Sequence, residues 1–263
     1  MATSDAPVQI GRVVLTVNDL DKVGDFYQGV IGLPRLAGDG ESLSLGLEQP
    51  LVELRRDKAA RQRPQEAGLF HTAFLLPDRA ALGDWLRMIA ARQLRIDGAS
   101  DHLVSEAVYL HDPEGNGVEV YADRPRDVWT LREGEVEMGT VAMDVPGVLA
   151  AGSDGWKSAA EGTTIGHVHL QVGDLGPADR FYTGALDLQR MSHRHGASFY
   201  SWGGYHHHLA GNIWNSRGAG RRKPDSTGLA ELVLAANADM LDRLGGTALE
   251  DPWGTRISLE RKG

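Results

Sequence analysis

The chain contains no cysteine, which excludes disulfides and thiolate-ligated metals. It has no basic run: 27 Lys and Arg against 36 Asp and Glu leave a net charge of −9. That balance argues against nucleic acid or an anionic membrane surface as partner, and says nothing against a small neutral molecule. No apolar stretch approaches transmembrane length, so no membrane partner is expected either. The opening residues Met1-Ala-Thr-Ser-Asp-Ala-Pro7 lack the basic–apolar pattern of an export signal, and a cytoplasmic location is the expectation. What the chain does have is 41% apolar residues, enough for a proper core, and 33 glycines, which suit a hairpin-rich β protein. Its 263 residues can hold one large domain or two smaller ones.

The chain repeats itself. Between 10–36 and 165–191, 12 of 27 aligned positions are identical without a gap. Both copies read as a strand, an Asp-Leu turn (Asp19-Leu20, Asp174-Leu175) and a helix carrying Phe26-Tyr27 or Phe181-Tyr182. A weaker pair begins at Gly68-Leu and Gly228-Leu and ends in Asp112-Pro-Glu-Gly and Asp251-Pro-Trp-Gly. Repetition of this kind marks a fold built from copied units. Four units result, each a strand, a helix and a run of strands, over roughly 8–60, 68–125, 164–216 and 226–261, the last being shorter. Residues 126–163 are rich in Gly, Ser, Asp and Glu and read as a linker with little core.

The stretch from His102 to Glu119 carries the most chemistry. Asp112-Pro-Glu-Gly115-Asn is a turn signal between two strand-like flanks, so Tyr109 and Glu119 can face one another across a hairpin with His102 at its entry. A histidine, a phenol and a carboxylate could together position a metal, a substrate hydroxyl and a proton. The ordinary alternative is a hairpin with a solvated Glu.

Histidine, a short gap, apolar residue, Tyr109, two residues, Asp112-Pro113, one residue, Gly115, then Glu119: this segment resembles the signature of catechol 2,3-dioxygenase-like extradiol ring-cleavage dioxygenases. These belong to the vicinal oxygen chelate superfamily, which also holds glyoxalases and bleomycin-resistance proteins. The departure lies at Ser100, where Gly, Asn, Thr, Ile or Val is usual. The turn and the final Glu are shared by superfamily members that cleave no ring. The resemblance covers nearly all of the chain outside the linker. It implies an α+β fold of four βαβββ units forming two vicinal oxygen chelate domains, over 8–125 and 164–261 with 126–163 between them. It also implies a small aromatic diol and O2 as reactants, Fe(II) with Mn(II) as the alternative, and a homo-oligomer.

In this superfamily, ligands come from the first and last strands of each unit. Unit one offers Arg12, which does not bind metals, and unit four offers Glu231 and Ser258. Unit two offers His71 and Glu119; unit three offers His167 and the run His206-His207-His208. Units two and three are therefore expected to form the working cup, with His71, His167 and Glu119 as a 2-His-1-carboxylate triad. The usual two-domain ring-cleaving enzyme keeps its site in the last two units; that competing cup would use His167, His207 and Glu231. By the same resemblance, His207 is the acid–base residue, Tyr109 holds a substrate oxygen, and His102 stabilises or protonates the oxygen-derived intermediate. Strand alternation would set His206 and His208 on one face and His207 on the other.

Two other readings stay open. A glyoxalase-type isomerase or lyase would use His71, Glu119, His167 and His207 as four ligands to Zn(II) or Ni(II). A metal-free binding protein would sequester a small molecule. Each histidine also has a plain reading as a buried, hydrogen-bonded core residue, with His169 adjacent to the cup and His111, His193 and His195 on the surface. Trp129, Trp202, Tyr205 and Trp214 line a pocket or fill the core; the sequence does not say which.

Overall fold

Each repeat turns from strand to helix in the same way. An Asp accepts a hydrogen bond from a backbone N–H of the first helical turn: Asp19 from Lys22, Asp78 from Ala81 and Asp174 from Gly176. The repeated Asp-Leu pairs are thus helix caps, with Asp satisfying an orphan donor and Leu20 buried on the core side. Unit four uses Asn237 for the same task, accepting from Met240.

The structure is a computed structural model that describes residues 5–153, 155–245 and 248–262. Unit one runs Val8–Val17, the helix Leu20–Phe26 with a π-turn Tyr27–Ile31, then Arg35–Gly38, Ser42–Gly46 and Pro50–Arg56. Unit two runs Gly68–Leu75, helix Arg79–Ala91, Gly98–Asp101, Ser105–His111 and Gly117–Asp123. Unit three runs Thr164–Gln171, helix Leu175–Ala185, Gln189–Arg194, Ala197–Ser201 and Leu209–Asn212. Unit four has Gly228–Ala236 and helix Ala238–Arg243, followed by only two strands among the described residues, Leu249–Glu250 and Arg256–Arg261. The shorter spacing between its marks leaves no chain for a third.

Two curled sheets result, consistent with vicinal oxygen chelate domains. The nine-stranded sheet joins units two and three through their first strands, Gly68–Leu75 and Thr164–Gln171, which pair antiparallel. The seven-stranded sheet joins units one and four in the same way, through Val8–Val17 and Gly228–Ala236. Sheet continuity therefore crosses the two chain-order halves, while the helices and one apolar core bind the sheets together. Within each half, a helix tyrosine reaches the neighbouring unit's Asp-Pro turn. Tyr27 donates to Asp112 at 3.4 Å, and Tyr182 to Asp251 at 2.9 Å. Asp112 also accepts from the N–H groups of Glu114 and Asn116, so this signature residue folds the turn and docks unit one.

The segment 126–163 does more than tether. It contains a hairpin (Leu131–Arg132 with Glu135–Val136), a strand Val141–Ala142 on the edge of the nine-stranded sheet, and a helix Val145–Ala151. Val136 and Met138 are buried with Val104 and Met191, a cluster that ties the segment to the mouth of the cup. Its apolar residues are too sparse to show a period in sequence, yet they cover a real face.

Candidate metal centre

The first and last strands of units two and three place their residues in rows across the sheet. Register sets Tyr109 opposite Glu119, Glu119 beside Ala73, and Ala73 opposite His167. The next row sets Gly117 beside His71 and His71 opposite His169. Residues two apart on a strand share a face, so both rows look into the same concave side. Small residues make the room. A Cβ on Gly117 would stand 2.0 Å from the Phe70 carbonyl oxygen, and one on Gly166 would stand 1.8 Å from the Tyr121 hydroxyl.

Three ligand atoms converge there. His71 Nε2 lies 3.0 Å from Glu119 Oε2, His167 Nε2 lies 3.3 Å from the same oxygen, and the two nitrogens lie 3.3 Å apart. Ligands ~2.1 Å from an octahedral ion and sharing one face lie ~3 Å from each other, so the spacing fits a facial triad. All three residues are buried. Among the described residues this is the group whose His, Asp or Glu ligand atoms converge in this way. Burial alone would raise Glu119, but the facing imidazoles of His167 and His71 outweigh it and hold the carboxyl well below its ordinary range. Burial lowers His167 to about 4 against the pull of Glu119, so it is a neutral imidazole at neutral pH. An ionised carboxylate and neutral imidazoles are the donor set a divalent cation needs. His167 Nδ1 has no partner among the described residues.

His207 stands beside this trio, its ring centroid 4.1 Å from that of His167, but its nitrogens fall outside the converging group. Burial and the surrounding imidazoles lower it well below the usual histidine range. Strand alternation does not govern the triple histidine. Residues 205–208 form a bend after two left-handed glycines, Gly203 and Gly204, and the strand begins only at Leu209. His206 consequently packs behind His207 rather than on the opposite face, with Nδ1 to Nδ1 at 2.7 Å. His206 Nε2 donates to Asp123 Oδ1 at 3.0 Å, which leaves its Nδ1 to accept from His207 Nδ1–H. With a singly protonated His206, the hydrogen-bond network assigns the lone-pair position of neutral His207 to Nε2. Tyr205 also donates to Asp123 at 3.2 Å and accepts from Tyr121 at 2.7 Å. His208 is buried and accepts at Nδ1 from the Trp202 backbone N–H at 3.3 Å.

On the opposite side, the Tyr109 hydroxyl donates to His102 Nε2 at 2.5 Å, and His102 Nδ1–H donates to the Gly139 carbonyl at 2.7 Å. Burial and the Glu119 charge raise Tyr109 well above the ordinary phenol range, so it keeps its proton.

All six sequence-predicted site residues line one cavity of about 360 Å³: His71, Glu119, His167, His207, His102 and Tyr109. A single-ring ligand fits a site of this size. Sequence reasoning missed Asp123 and left His206 without a role, since their bond depends on the approach of two distant segments. It also missed Phe70, Met138 and Arg194, which share the cavity wall. His195, expected on the surface, is exposed but stands on the cavity rim. Trp214 joins it there, whereas Trp202 and Tyr205 are core. Glu231 lies on the other sheet, so the competing cup of His167, His207 and Glu231 does not assemble.

This geometry has relatives. Residues 9–120 match the model of the Glyoxalase/Bleomycin resistance protein/Dioxygenase superfamily. The chain is 40% identical over 237 residues to a Bacillus subtilis (strain 168) protein named catechol-2,3-dioxygenase, covering 87% of this chain and 83% of the relative. Two solved structures share the fold at low identity. One, from Bacillus subtilis subsp. subtilis strain 168 and described provisionally as a dioxygenase, has a TM-score of 0.63 at 14% identity, covering 95% of this chain and 84% of that one. The other is glyoxalase I from Zea mays, with a TM-score of 0.58 at 16% identity, covering 97% and 92%. With paired βαβββ units, a concave ligand trio and a relative this similar over most of its length, the chain belongs to the glyoxalase/bleomycin resistance/dioxygenase superfamily.

Proposed function

We propose that the protein is an extradiol dioxygenase that opens catechol-type rings with O2, using Fe(II), or Mn(II) as the alternative, held by His71, His167 and Glu119. The observation that carries this reading is the three-atom convergence beside a separate histidine and a protonated tyrosine. The 40% identical relative named catechol-2,3-dioxygenase supports the same reaction class.

When bound, the metal supplies Lewis acidity toward the diol oxygens and a path for electrons between ring and dioxygen. The chain supplies orientation and protons. His207 Nε2, kept as a lone pair by the His206–Asp123 relay, accepts a diol proton. Tyr109 holds a substrate oxygen through its hydroxyl. His102 already donates Nδ1–H to Gly139, so its Nε2 carries no proton to give while neutral. The Tyr109 proton is therefore held by His102 Nε2, and the Tyr109 oxygen turns its lone pairs to a substrate hydroxyl. Phe70, Phe199 and Met138 keep the wall apolar and exclude water around the ring. One ring carbon–carbon bond next to the diol breaks, and both oxygen atoms of O2 enter the product, a semialdehyde acid.

A glyoxalase-type site would need His207 as a fourth ligand, and its place outside the converging group favours the acid–base role. The test is anaerobic loading with Fe(II), followed by oxygen uptake with a panel of catechols. Stoichiometric uptake with a yellow product supports the proposal. No uptake across the panel, with turnover of a hemithioacetal instead, would replace it with the isomerase reading.

A further inference from the structure

One cation stands at the rim of the cavity without a counter-charge. Arg194 closes the strand Gln189–Arg194 at a tight turn and lines the cavity with Thr140, His195 and Trp214. It is half-buried, yet among the described residues its guanidinium makes no ion pair and no hydrogen bond. Other arginines of the fold are satisfied: Arg79 by Glu106, Arg124 by Asp101, and Arg222 by the carbonyls of Leu229 and Thr227. Burial pulls Arg194 below its ordinary range, and no anion pulls it back.

Nearby acids do not fill the role. Glu119 is the carboxylate that lines the same cavity, and it faces His71 and His167. Glu133, Glu135 and Glu137 line a crevice on the other side of Arg194 without reaching it, and Glu137 pairs with Arg132 at 3.0 Å. A guanidinium taken partly out of water without a partner is unfavourable, and its fork geometry matches a carboxylate.

We propose that Arg194 selects aromatic diols that carry an anionic substituent, a carboxylate above all, with the diol at the metal centre and the anion at the rim. The diol end rests on the ring-cleavage reading; the anion end rests on the cavity alone. Arg194 is thus a specificity residue, and Thr140 beside it offers a hydroxyl to the same anion.

The test uses the metal-loaded protein without oxygen and reads tryptophan fluorescence. The probes are 3,4-dihydroxybenzoate, 3,4-dihydroxyphenylacetate and 3-(3,4-dihydroxyphenyl)propanoate, each against its amide. At least one acid should bind about ten- to a hundredfold more tightly than its amide, the usual worth of a charge-assisted hydrogen bond. Arg194→Met should erase that preference while leaving amide binding within about twofold, and Arg194→Lys should keep part of it. Equal binding of every acid and its amide by the native protein overturns the proposal, as does an equal loss for both in Arg194→Met. Admitting oxygen separates the two readings. Acid preference without oxygen uptake leaves anion selection standing and removes ring cleavage. Equal oxygen uptake with acids and amides, unaffected by Arg194→Met, does the reverse.

Discussion

The two sheets are built by the same pairing and filled with opposite chemistry. In the nine-stranded sheet, the central strands present His71, His167 and Glu119, whose ligand atoms converge at 3.0–3.3 Å. In the seven-stranded sheet, the corresponding strands present Arg12, Glu53, Glu231 and Ser258. Arg12 makes a two-pronged bond to Glu260 at 2.6 and 2.7 Å and lies 3.6 Å from Glu53. Ser258 donates to Glu231, which also has Arg256 at 3.5 Å and Arg55 at 3.8 Å. A permanent guanidinium stands where the other cup gathers imidazoles. The backbone thus supplies a place for ligands, and side-chain identity alone decides between a metal-competent trio and an ion-pair network.

That contrast can be broken from the metal side with the largest effect. His71→Ala or Glu119→Ala should lower metal affinity by more than the ~10²-fold typical of losing a mere outer partner, and remove activity with it. Glu231→Ala in the other cup should leave metal content and turnover unchanged. Elemental analysis of the purified variants checks both.

His207→Phe sharpens the comparison within the working cup. Its nitrogens lie outside the trio, so the variant should keep its metal and bind catechol, yet turn over ~10² to 10⁴ times more slowly. If metal content falls in step with activity, His207 is a ligand and the four-ligand isomerase reading moves ahead. Asp123→Asn acts one step further back, on the tautomer that His206 imposes. A loss of about 10- to 10²-fold in kcat with little change in KM is expected, the scale typical of second-layer partners.

Acid should weaken the working cup first. Burial lowers His167, His169, His207 and His208 in the folded chain below the ordinary 6.5. A histidine depressed in the folded state binds its proton more readily when unfolded. Its stabilising share is therefore complete above pH 6.5 and shrinks as pH falls from there toward the folded value. Each such group contributes a slope of up to about 1.4 kcal/mol per pH unit within that window. Urea midpoints of metal-free protein should accordingly drop between pH 7.5 and 5.5; an unchanged midpoint would mean these imidazoles are not buried neutral.

The smallest effect belongs to the ion-pair cup. Arg12 and Glu260 are partly exposed, with side-chain exposures of 23% and 51%. Arg12→Met should cost only about 0–1 kcal/mol, read as a Tm shift of at most about 2–4 °C, and leave catalysis alone.

Much of the site was legible because strand slots are a sequence property. His71, Glu119 and His167 each sit inside a strand whose copy elsewhere carries Glu231, Ser258 or Arg12, and with the ligand slots that the superfamily resemblance implies, that difference points to the middle units. Tyr109 followed from its hairpin partner Glu119. The relay was not legible, since Asp123 and His206 meet only because a bend, not a strand, holds residues 205–208. Nor was Arg194, whose lack of a partner is a fact of three-dimensional packing. The segment 126–163 hid its role for a similar reason: Met138 and Val136 find their cluster across the sheet, with no local period to announce it. Trp202 and Trp214 are alike in sequence, yet one is core and the other is on the cavity rim.

The most direct measurement is anomalous diffraction from crystals of the Fe(II)-loaded protein, collected at the iron edge. The account predicts one peak per chain, within bonding distance of His71 Nε2, His167 Nε2 and a Glu119 carboxylate oxygen, and with His207 outside that distance. A peak beside Glu231 and Ser258, or one bonded by His207 as a fourth ligand, would contradict it.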